Sequence, residues 1–109
     1  MRLTPIPRCV LSEDVRVKVP VDGDYGGEYA EPEDLLCVRV ETAQSLAMTG
    51  YALVDGCKCV VYIDAANSTG RREFPVGSLV EVDGQWLNAV SVERFGVAGL
   101  THHWEVQLA

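Results

Sequence analysis

The 109-residue sequence predicts an all-β fold, a small antiparallel β-barrel or sandwich of about six strands with long loops. Three observations predict it. Short runs such as Asp14–Val19 and Trp104–Leu108 alternate apolar and polar residues with period two, as half-buried strands do. Turn chemistry recurs between such runs, at Asp22-Gly23, Gly26-Gly27, Asp83-Gly84 and the stretch from Gly96 to Gly99. No segment carries a marked apolar stripe at helical spacing. A single domain over residues 1–109 is expected, with residues 1–9 as an extended arm.

Taken in order, the arm contains Pro5 and Pro7 and cannot form regular structure. Asp14–Val19 is the first strand and Pro20 stops it. Val21–Glu33 is a polar loop in which Tyr25 and Tyr29 can face each other across a short ribbon. Leu35–Glu41 is the second strand, with Leu36, Val38 and Val40 on the buried face. Thr42–Gly56 reads as a long loop whose Leu46, Met48, Tyr51 and Leu53 have no place in the core. Cys57–Ala65 is the most apolar strand and belongs in the centre of the sheet. Asn67–Gly77 is again loop, anchored by Phe74.

The last third is a hairpin followed by a closing strand. Leu79–Val82 runs into Asp83-Gly84, and Gln85–Arg94 returns. A two-residue turn would pair Val82 with Gln85, placing Val80 and Val82 on the face opposite Trp86, Val90 and Val92. A bulged three-residue turn, with Gly84 left-handed, instead brings Val80, Trp86, Val90 and Val92 onto one face, and is the expected form. In the closing strand Trp104, Val106 and Leu108 point inward while His103, Glu105 and Gln107 point outward. The expected core is Val15, Val17, Leu36, Val38, Val40, Cys57, Cys59, Val61, Ile63, Val80, Trp86, Val90, Val92, Trp104, Val106 and Leu108.

Nine basic against sixteen acidic residues give a formal charge of −7, which disfavours a nucleic-acid backbone or an anionic membrane as the main partner. No apolar run approaches the roughly 20 residues that span a bilayer as a helix. The N-terminal residues lack the apolar centre of a signal peptide, so synthesis in the cytoplasm is expected. In that compartment Cys9, Cys37, Cys57 and Cys59 are read as reduced thiols without metal. Motifs for phosphate cradles, dinucleotide binding and serine nucleophiles are absent, and no catalytic or cofactor-binding residue is expected. A metal site using Cys57, Cys59 and His102 or His103 is an alternative, as is a barrel that binds a ligand without catalysis. The expected interface residues are Leu46, Met48, Tyr51, Leu53, the basic pair Arg71 and Arg72, and His103.

Several stretches follow one another in a family's order. They are Leu3-Thr4-Pro5-Ile6-Pro7, Asp24-Tyr25-Gly26, Leu36-Cys37-Val38-Arg39-Val40, and Tyr62-Ile63-Asp64-Ala65 with Asn67-Ser68-Thr69. Gly77 to Asn88 and the terminal His102-His103-Trp104-Glu105-Val106 complete the series. Over nearly its whole length the chain resembles the minor capsid proteins of tailed bacteriophages and prophages. The chain departs from that pattern at Cys57-Lys58-Cys59 and in a short Thr42–Gly56 region. The resemblance implies a small β-barrel at the head–tail connector of the virion, a head-completion protein that either seals the filled head or forms the tail's docking surface, without catalysis or cofactor. It implies self-association into a ring at the portal vertex, portal or adaptor proteins on one side and tail proteins on the other. Packaged DNA would only pass through the channel, and no membrane is involved.

Overall fold

The computed structural model describes residues 4–21, 28–43 and 56–109. Among them the regular elements are seven strands: β1 Glu13–Lys18, β2 Glu33–Thr42, β3 Cys59–Asp64, β4 Thr69–Gly70, β5 Leu79–Val82, β6 Gln85–Val97 and β7 Leu100–Leu108. All pairings are antiparallel, in the order β1-β5-β6-β7-β3-β2, and β1 pairs again with β2. Six strands therefore close a barrel, which removes exposed sheet edges from its wall. The seventh strand, β4, pairs with β2 at Leu35 and Leu36, within what the sequence suggests is loop.

Alternation works as expected in β1 and β7, where Val15, Val17, Trp104, Val106 and Leu108 fill the barrel. Cys59, Val61 and Ile63 of β3 join them, and Phe74 anchors the loop after β4. On the opposite face of the wall Val60 and Gln107 are buried too, so β3 reads as a continuous apolar run. The strand begins at Cys59, and Cys57 is only half-buried outside it. Pro20 bridges Tyr29, so a short ribbon does join β1 to β2; Tyr25 lies outside the described residues.

In β2 the inward residue is Leu35, fully buried, while Leu36 is exposed. Glu13 pairs with Val38 but Val15 with Leu35, so β2 carries one extra residue there, and Cys37 takes φ 60°. This bulge shifts the phase by one. Its free amide is used: the Asp14 carboxylate accepts the Cys37 N–H at 3.0 Å, and Glu13 accepts that of Val40 at 2.9 Å.

The β5–β6 turn also differs from expectation. Val82 pairs with Gln85 and Glu81 with Trp86, a two-residue turn with Asp83 at φ 51° and Gly84 at φ 77°. Both central residues are left-handed, which matches the twist of the strands. Val80 consequently faces Leu87, and the inward residues of β6 are Leu87 and Ala89. Trp86 is half-buried on the outside, with the Lys18 ammonium 4.2 Å from its ring centre. A bulge exists, but at Val90, six residues beyond Gly84: Ala89 pairs with Leu108 and Ser91 with Gln107, leaving Val90 as the extra residue. Beyond it Val92 returns to the core opposite Val106. A single uninterrupted phase through Trp86, Val90 and Val92 had no room for that insertion.

Candidate interaction surface

Three features meet at one end of β7. The first is a receptor for the N-terminal arm, built by the loop after β3. Asp64 is fully buried, and its carboxylate accepts N–H bonds from Ala66 and Asn67 at 2.9 and 2.8 Å, closing a tight turn. The other carboxylate oxygen accepts the Ile6 amide at 2.9 Å, and Asn67 Nδ2 donates to the Ile6 carbonyl at 2.7 Å. Both backbone groups of Ile6 are thus held by side chains. Ser68 Oγ accepts the Asp64 amide at 2.9 Å and donates to the Cys37 carbonyl, joining this loop to the β2 bulge. His102 Nε2 donates to the Thr4 carbonyl at 2.6 Å. His102 is free to do so because Gly96 pairs with Thr101 and Phe95 with His103, leaving it as a bulge residue outside the Trp104 phase.

The second feature is the outer wall beside this loop. Arg39 of β2, Tyr62 of β3 and Glu105 of β7 lie in one cross-strand row, with Glu93 of β6 following. Arg39 Nε donates to Glu41 at 2.6 Å. His103 Nε2 is 2.8 Å from the Glu105 carboxylate, its Nδ1 is 2.7 Å from His102 Nδ1, and its ring stacks on Phe95 at 4.9 Å. Burial pushes the Tyr62 hydroxyl pKa up, the carboxylates of Glu105 and Glu41 add to this, and Arg39 opposes them.

The third is a two-stranded ribbon. β3 stops pairing with β7 at His103, while β6 and β7 continue to Val97 and Leu100. Glu93 to Leu100 are all exposed. Phe95, Val97 and Leu100, at 38%, 48% and 41% exposure, share the face that continues the outer wall through His103. Arg94, Gly96 and Thr101 take the other face, where Arg94 Nε donates to Thr101 Oγ1 at 2.6 Å. The tip is a two-residue turn, Ala98 at φ 50° and Gly99 at φ 78°, and not the open loop expected from Gly96 to Gly99.

Of the sequence-predicted interface residues, Leu46, Met48, Tyr51 and Leu53 lie outside the described residues. His103 sits in the outer wall at the base of the ribbon. The two arginines diverge. Arg71 pairs with Glu33 at 2.6 Å and its amide donates to the Asp34 carbonyl, so it ties β4 to β2. Arg72 donates to the Ala65 carbonyl and lies 6.0 Å from the Trp104 ring centre. Phe95, Val97 and Leu100 escaped sequence reasoning; the readable signal was a strand pattern running straight into Ala98-Gly99.

The Cys/His metal alternative does not assemble. Cys59 pairs with Leu108 and Asp64 with His103, so the thiol and the imidazoles sit at opposite ends of the β3–β7 ladder, roughly 17 Å apart. Among the described residues no group of three or more His, Cys, Asp or Glu side chains is placed to hold a metal ion. Burial raises the Cys57 thiol pKa, and burial first, then Cys57, Asp83 and Glu13, pushes Cys59 up to about 11 against the smaller pull of Lys58.

What the surface offers is backbone capture by side chains and an exposed apolar ribbon. Neither the curated proteins nor the solved structures returned a match. A family model described as Minor capsid protein matches residues 7–108, nearly the whole chain. The barrel, the arm receptor and the ribbon therefore belong to a structural phage protein: this chain is a member of the minor capsid protein family.

Proposed function

We propose that this virion protein works without catalysis at the head–tail connector, as one subunit of a ring at the portal vertex. It is made in the host cytoplasm and joins portal or adaptor proteins on the head side to tail proteins below. The observation that carries this reading is the ribbon of Glu93–Leu100. Three large apolar side chains stand exposed on a two-stranded extension beyond the barrel wall, with the Phe95 ring stacked on His103 at its base. An exposed apolar patch of this kind marks a protein-interaction site. Such a ribbon suits a subunit whose partners are other proteins. The excess of acidic residues suits a wall past which DNA slides, because it repels phosphate.

The test is the double variant Phe95→Ser, Leu100→Asp, made in the phage. The protein should still fold and unfold cooperatively, since both positions are exposed and lie outside the core, with only a small drop in midpoint from the lost Phe95–His103 stack. Filled heads and free tails should then accumulate separately in electron micrographs. Normal joined particles would sink the proposal.

A further inference from the structure

The ribbon has a counterpart elsewhere on the same molecule. At the other end of β6, beside the Asp83-Gly84 turn, an open groove is lined by Asp14, Arg16, Asp34, Leu36, Glu81 and Asp83, together with Val15 and Gly84. Leu36 is 40% exposed there, pushed outward by the β2 bulge. The groove thus combines one exposed apolar side chain, Leu36, with a rim of four carboxylates and one guanidinium. A ribbon entering a groove presents both faces to its walls. On one face the tip offers Phe95, Val97 and Leu100, and on the other the exposed Arg94, whose Nε donates to Thr101 Oγ1.

Thirteen residues of β6 separate the two features, up to about 40 Å along the strand. The longest dimension of the molecule is 41 Å. No chain can therefore fill its own groove with its own tip. We infer that the Phe95/Val97/Leu100 ribbon tip docks in the Leu36 groove of a second copy of this chain. The contact is head-to-tail, using different patches on the two copies, and repetition of such a contact gives a ring when the rotation between neighbours closes and an open filament otherwise. It rests on the connector reading, for which it supplies the contact between neighbouring subunits. Eight tip residues give an interface smaller than the roughly 800 Å² per partner of a stable complex. The −7 charge of each copy opposes association further. Free chains should accordingly associate weakly and do so mainly at high concentration or on a template.

The experiment uses the full chain and two single variants, Leu36→Asp and Leu100→Asp, followed by sedimentation over a wide concentration range. Both positions are exposed, so unchanged urea midpoints should show that each variant is folded. The wild-type chain should grow beyond dimers at high concentration. Each variant alone should associate at least roughly thirtyfold more weakly, as expected for loss of a central contact. An equimolar mixture should recover dimers and stop there, because only one usable tip and one usable groove remain. The inference is overturned if Leu36→Asp associates like wild type, if the mixture recovers nothing, or if the wild-type chain stays monomeric at its solubility limit. The connector reading fails separately, if phage carrying Leu100→Asp joins heads to tails normally. Phage that tolerates Leu36→Asp but not Leu100→Asp would place the tip on a different virion protein and reject the self-contact.

Discussion

Single side chains at this protein's loops hold backbone that strands do not reach. Asp64 accepts three amides and so fixes its own turn and the arm together. Asp64→Ala should cost about 2–4 kcal/mol, because all three part-buried amides lose their carboxylate acceptor. Hydrogen exchange should show the Ile6, Ala66 and Asn67 amides losing protection while those of β7 keep theirs. Protection at Ile6 that survives the change would show that the arm is held by other contacts. Cys59 provides a pH-dependent term. Its thiol pKa rises from 9.0 to about 11 on folding, so the native state favours the neutral form. That stability is complete below pH 9 and is lost as pH rises through about 11. Tyr62, also raised, adds loss in the alkaline range. Urea midpoints should fall from pH 8 to pH 11, and the fall should be shallower in Cys59→Val. An equal slope in the two proteins would remove Cys59 from the explanation.

Within the strands, glycine and its neighbours decide whether the two hairpins can form. Gly96 faces the Leu100 carbonyl so closely that a Cβ would overlap it. Gly96→Ala should therefore cost roughly 1–3 kcal/mol, in contrast to the open surroundings of the tip. At the tip Ala98 is left-handed at φ 50°, a conformation that glycine adopts without strain. Ala98→Gly should raise stability by about 0.5–1 kcal/mol, read as a higher urea midpoint with unchanged slope. Gly84 has open space around it, so Gly84→Val would cost only the left-handed backbone penalty, about 1–2 kcal/mol. A neutral result at Gly84 would contradict the two-residue turn.

Over the whole molecule, closure makes β7 indispensable. It pairs with β6 on one side and β3 on the other, and its Trp104, Val106 and Leu108 line the core shared by both. Trp104→Ala should cost roughly 3–5 kcal/mol, a large part of the stability of a domain of this size. Removing residues His102 to Ala109 should abolish cooperative unfolding, since β3 and β6 would both lose a partner. A truncated chain that still unfolds in one sharp transition would refute the closed barrel.

Local pattern alone determined the fold class and the inward faces of β1, β3 and β7. In β1 and the second half of β7 the period-two alternation runs unbroken, while β3 is apolar on both faces and its length and composition place it in the centre of the wall. The position of the Asp83-Gly84 turn was legible from local pattern too, but its two-residue form was not, because the bulge expected there lies at Val90 and depends on the pairing with β7. Only the tertiary structure decided the phase of β2, β6 and the start of β7. Each contains one inserted residue, at the Leu36–Cys37 step, at Val90 and at His102, and each insertion moves all later side chains to the other face. Where an insertion falls depends on partners distant in sequence. The Cys37 amide is satisfied by Asp14, 23 residues away, and the His102 ring by the Thr4 carbonyl, 98 residues away. The candidate surface follows from these displaced phases, because the β2 bulge exposes Leu36 and the β7 bulge frees His102 to hold the arm. A pattern of alternating residues carries no record of such long-range pairing, so the strands were readable and the surface between them was not.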